Sequence, residues 1–88
     1  MPRHLRPTAF SATLRELRHQ RGMTMRVVAD LAGPTVTSLQ SYETGYRLPE
    51  PETVAAIATV LRVNPAHLLR LWLRARVGDH LADLILGG

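Results

Sequence analysis

The sequence predicts an all-α protein, a compact five-helix domain with a short C-terminal helical extension. Apolar residues recur at helical spacing along almost the whole chain, and strand-like alternation is nearly absent. The breaks between periodic stretches fall at Gly, Pro and capping residues. The 88 residues leave room for one domain with an economical core.

In the first helix, 9–20, Phe10, Leu14 and Leu17 share one face and Arg15, Glu16 and Arg18 lie outside. Thr8 caps its start and Gly22 marks its stop. Thr24 caps a second helix, 25–32, which turns Val28, Ala29 and Ala32 inward. Gly33-Pro34 breaks the chain, and Thr35 recaps it at once. The third helix, 36–43, turns Leu39 and Tyr42 inward and closes at Gly45. A loop with Pro49 leads to a fourth helix, about 51–62, with Pro51 in its first turn and Val54, Ile57, Ala58 and Leu61 inside. Asn64-Pro65 is a cap and first-turn pair opening a fifth helix, 65–77. Gly78-Asp79 then precedes the apolar segment from Leu81 to Leu86. The chain thus divides into a basic arm, 1–7, a helical domain, 8–77, and an apolar extension, 78–88.

Composition narrows the function. At 45% hydrophobic and 20% charged residues, the chain is neither disordered nor fibrous. Its apolar runs are far shorter than the ~20 residues a transmembrane helix needs, so no membrane partner is expected. The start of the chain has no apolar stretch of the secretory kind. The absence of cysteine excludes a disulfide scaffold and fits a cytoplasmic, nucleoid-associated protein. The net charge of +4 is unevenly spread, and all eleven basic residues are Arg. Residues 1–26 carry six Arg against Glu16 alone, whereas 48–88 are balanced. One end is therefore suited to a polyanion, with nucleic acid favoured.

The two short central helices carry the functional signal. A three-residue turn lets the second of them stand across the first and project into a groove. The geometry needs small residues at the crossing (Ala29, Ala32), Gly33 at the turn, and apolar anchors at i, i+3 (Leu39, Tyr42). A plain bundle with a tight corner is the alternative. With Leu39 and Tyr42 inward, periodicity sends Val36, Thr37, Gln40 and Ser41 outward. Gln can bond an adenine edge at two points, while Val and Thr methyls can pack on thymine methyls.

The residues Leu14-Arg-Glu-Leu-Arg18, Gly22-Met-Thr24, Val28-Ala29, Ala32-Gly33, Ser41-Tyr-Glu-Thr-Gly45, Pro49 and Ala58-Thr-Val-Leu61 resemble the Cro/phage-repressor (XRE-like) helix-turn-helix family over about residues 10–70. The resemblance implies a five-helix DNA-binding domain, usually a homodimer on a palindromic operator, acting as a transcriptional repressor or regulator. It assigns base reading to Val36, Thr37, Gln40 and Ser41, and phosphate contacts to Arg26, Thr35 and Arg47. Met25 stands where the family often has a phosphate-bonding Gln, and Arg26 can take over that contact. Pro34 replaces the usual branched apolar turn residue and stiffens the turn. For Arg47 an ion pair to Glu43 or Glu50 is the structural alternative. Arg3 and Arg6 on the arm either meet DNA or form a solvated tail. Arg15 and Arg18 read as a solvated helix face.

No catalytic constellation stands out, and no enzyme activity or cofactor is expected. His4, His19, His67 and His80 are scattered without metal-ligand spacing. Glu50 and Glu52 read as helix N-terminal charge. The C-terminal third instead suggests association. Leu68, Leu69, Leu71, Trp72 and Leu73 cover too much of one helix for a single contact, and Leu81, Leu84, Ile85 and Leu86 add a second strip. A homodimer interface through Trp72, Leu73, Leu81, Leu84 and Ile85 is expected, with folding back of the last segment as its alternative. The partners expected are therefore double-stranded DNA and a second copy. Two rival functions remain: an antitoxin that represses its own operon and caps a toxin, and a protein-interaction module on the same scaffold.

Overall fold

The computed structural model describes residues 7–87, so Arg3 and Arg6 lie outside the described residues. Among the described residues there are six helices and no strand: α1 (Ala9–Gln20), α2 (Met25–Ala32), α3 (Val36–Thr44), α4 (Pro51–Leu61), α5 (Pro65–Val77) and α6 (Asp79–Leu86). The sixth is the segment expected as the C-terminal extension, and it is regular enough to count as a helix of its own.

Local chemistry sets the helix starts. Thr8 and Ser11 cap α1 reciprocally: the Ser11 N–H donates to Thr8 Oγ1 at 3.1 Å, and the Thr8 N–H donates to Ser11 Oγ at 2.7 Å. Thr24, Thr35 and Asn64 accept from Val27, Ser38 and Ala66 at the starts of α2, α3 and α5. α4 begins with Pro51 and has no side-chain cap bond. Gly45 ends α3 in the left-handed region at φ 83°, as its position after the last anchor predicts. α4 ends differently, at Arg62 with φ 61°, a backbone conformation usually left to Gly.

α4 lies at the centre of the core. Val54, Ile57, Ala58 and Leu61 are all fully buried, joined by Phe10 and Leu14 of α1, Val28 and Ala29 of α2, Leu39 and Tyr42 of α3, and Leu68 of α5. α4 packs on α2 and α5, α1 packs on α3 and α5, and α2 packs on α3. The pair α2–α3 is therefore braced from behind by α1 and α4.

Two expectations need correction or refinement. Arg18, expected on the solvated face of α1, is buried at 8% exposure against Glu43 of α3, itself 6% exposed. The surplus apolar surface of α5 is partly consumed within the chain. Leu69, Leu71, Trp72 and Ala75 pack on the core, and Trp72 Nε1 donates to the Pro49 carbonyl at 2.8 Å. α6 does fold onto α5, burying Ala82 and placing Asp83 2.7 Å from Arg74. It leaves Leu81, Leu84 and Ile85 at 46%, 67% and 57% exposure.

Candidate nucleic-acid interface

The central device is α2, the turn Gly33–Thr35, and α3. Gly33 has φ 113°, and its N–H donates to the Ala29 carbonyl at 2.9 Å, closing α2 and redirecting the chain within three residues. Thr35 caps α3 immediately. The inner row of α3, Leu39, Tyr42 and Glu43, is buried, so the helix is fixed in rotation as well as position. Its outer row is left to solvent: Val36, Thr37 and Gln40 are exposed and Ser41 is half-buried. The four residues expected to read bases thus share the outward side of one helix.

The buried ion pair settles where α3 sits. Arg18 Nε donates to Glu43 Oε2 at 2.7 Å and Nη2 to Oε1 at 3.0 Å, a two-point fork. Arg18 Nη1 donates to the Met23 carbonyl at 2.9 Å, so one guanidinium ties α1, the α1–α2 loop and α3 together. The hydrogen bond to Glu43, and then the Glu43 charge, hold Arg18 above its ordinary range against the opposing effect of burial. Reading the sequence for functional residues missed this pair.

The expected phosphate contacts are placed as follows. Arg26 is exposed at the second position of α2. Met25 before it is half-buried and packs on the core, so its side chain is engaged inward. Thr35 Oγ1 accepts from the Ser38 N–H at 3.0 Å, which leaves its hydroxyl proton free to donate outward. Arg47 forms neither of the ion pairs weighed for it. Its Nη2 donates to Ser38 Oγ at 3.2 Å, laying the guanidinium along the first turn of α3. Ser38 was not singled out from sequence, because its role depends on a loop folding back nine residues later. Val27 and Leu31, both exposed on the outer face of α2, were likewise not foreseen.

Comparison with known proteins bears on this arrangement. Residues 9–72 match a family described as "Helix-turn-helix domain". Among solved structures, the restriction-modification controller protein C.AhdI from Aeromonas hydrophila is 30% identical. It superposes with a TM-score of 0.64 over 67% of this chain and 89% of that one. The clp gene regulator ClgR from Corynebacterium glutamicum, 24% identical, superposes in two structures. One has a TM-score of 0.65 over 82% of this chain and 94% of that one, the other 0.68 over 89% and 84%. Curated proteins gave no match.

Proposed function

The chain belongs to the helix-turn-helix domain family, and on that premise we propose that it is a sequence-specific, duplex-DNA-binding transcriptional regulator, a homodimeric repressor of the XRE-like kind. The observation that carries the reading is the outer row of α3, polar and exposed on a helix whose inner row is locked by apolar packing and the Arg18–Glu43 fork. Such a helix enters the major groove as a rigid probe. Gln40 bonds an adenine edge, and Val36 and Thr37 pack on thymine methyls beside Ser41. Arg26, Thr35 and Arg47 hold the flanking phosphates, which fixes register without reading sequence. C.AhdI is named a controller protein and ClgR a gene regulator, which supports a regulatory role.

Repression follows from occupancy: the mechanism is binding without chemistry. One α3 of nine residues reads too few base pairs to stand out from a genome of competing sites. Pairing two copies through the exposed strip of α6 and the adjoining Trp72 and Leu73 of α5 doubles the contact on a palindrome, with half-sites about 34 Å apart. Selection from random duplexes is the test. Enrichment of a two-fold symmetric sequence is expected, and retention of all duplexes alike would overturn the reading. The same strip supports the rival reading, a surface for a different protein such as a toxin. Specific binding to DNA by a protein that remains monomeric would favour that rival for the strip alone.

A further inference from the structure

Helical spacing gives α3 two flanks on either side of Thr37. Val36, Gln40 and Thr44 lie on one, at successive i, i+4 positions, and Ser38 and Ser41 lie towards the other. Arg47, bonded to Ser38, occupies the second flank. The first flank faces a cleft of about 200 Å³ between α3, α1 and the start of α2, lined by Arg15, Arg18, Met25, Gln40, Glu43 and Thr44. We propose that Arg15 is a further DNA contact, holding a backbone phosphate beside the base read by Gln40, so that α3 is gripped along both flanks.

The charges in the cleft decide which of its groups can do this. Arg18 and Glu43 neutralise one another in their fork, and Met25 is apolar. Thr44 Oγ1 donates to the Ser41 carbonyl, so its proton is used within α3. Arg15 is exposed and forms no ion pair among the described residues. It is therefore the one uncompensated charge lining the cleft. Arg15 also borders the neighbouring α1–α3 seam with Glu16 and His19. Glu16 forms no ion pair with it among the described residues, and its carboxylate accepts from Gln20 at 3.2 Å along α1. A backbone phosphate is the fitting occupant, because Gln40 brings duplex DNA to the mouth of the cleft and a guanidinium matches phosphate oxygens.

The inference rests on the DNA-binding reading, and its test separates the two. Arg15→Gln, Arg15→Lys, Arg47→Ala, Gln40→Ala and, as a charge-loss control on α4's C-cap, Arg62→Gln are compared on the selected duplex and a random duplex across a salt series. Arg15→Gln should weaken both duplexes by the same factor and flatten the slope of log K against log salt by about 0.9 per protomer. Arg15→Lys should restore the slope, and thermal unfolding should be unchanged because Arg15 is exposed. If Arg47→Ala and Gln40→Ala behave as contacts while Arg15→Gln matches Arg62→Gln, this inference is overturned and the function stands. If the wild type shows no salt-dependent duplex binding, both fall.

Discussion

Glu43 and Gln40 stand three residues apart on α3, one on its inner side and one on its outer, and substitutions at them should have opposite signatures. Glu43→Gln leaves the Arg18 guanidinium buried without its counter-charge, which typically costs about 3–5 kcal/mol. Chemical denaturation should show that loss, and Arg18→Met with Glu43→Leu should recover most of it. A single-variant cost below about 1 kcal/mol would mean that the fork does not hold α3. Gln40→Ala should leave stability unchanged and cost roughly 1–3 kcal/mol on the selected duplex, with random duplexes little affected. Equal losses on both would remove Gln40 as a reader. The raised Arg18 also has a pH consequence. A cation whose folded-state value is raised gives stability that is complete below its unfolded value and lost only as pH rises through the folded one. For a guanidinium that window lies in strong alkali, so Arg18 adds no slope to stability between about pH 6 and 9. The pair itself was legible in principle. Phe10, Leu14 and Arg18 form one i, i+4, i+8 stripe on α1, and Leu39 and Glu43 form one on α3. Each apolar stripe ends in a charge of opposite sign, a pattern that residue-by-residue hydrophobicity hides.

At the scale of elements, boundaries followed directly from capping chemistry, because Thr8, Thr24, Thr35 and Asn64 each satisfy a first-turn N–H as their side chains allow. The end of α4 could not be read this way. Arg62 adopts φ 61° without a glycine to signal it, and the Arg62 and Val63 N–H groups close the helix on the Thr59 and Ala58 carbonyls. Arg62→Gly should therefore stabilise the fold by about 0.5–1 kcal/mol, read as a higher denaturation midpoint at constant slope. A lower midpoint would show that the arginine side chain contributes more than its backbone costs. α6 was visible in sequence as a short apolar helical extension. What the sequence could not show was how its faces divide: Ala82 goes inward, while Leu81, Leu84 and Ile85 stay outside. Arg74 bridges the seam between α5 and α6 through ion pairs with Asp79 and Asp83, a contact between residues of two helices that helical periodicity does not show.

For the molecule as a whole, exposed apolar side chains fall mainly in two places, Val27 and Leu31 on α2 and Leu81, Leu84, Ile85 and Leu86 on α6. Arg26 lies on α2 and Arg47 in the loop after α3, whereas α6 carries the larger apolar strip and no Arg. If α6 joins two copies, Leu84→Glu should give folded monomers that keep their helix content and lose most specific affinity, read by sedimentation and duplex binding. A wild type that sediments as a monomer at micromolar concentration, or full affinity in a monomeric variant, would show the interface to be wrong. The concentration of Arg towards the start of the chain was legible in the sequence; which parts of α5 remain exposed was not. That depended on how much of Trp72 the core would use.

The Trp72–Pro49 hydrogen bond gives that last point a further meaning. The indole belongs to α5, beside the exposed strip, and the carbonyl belongs to the loop that carries Arg47. If α6 pairs two copies and α3 reads DNA, a displacement at one end of this strut is shared with the other and couples the two surfaces. Thermodynamic reciprocity then fixes the outcome: by whatever factor pairing strengthens the hold on DNA, DNA must strengthen pairing. Trp72→Phe keeps most of the packing and removes the N–H. It should therefore narrow the gap between dimer dissociation constants measured with and without operator.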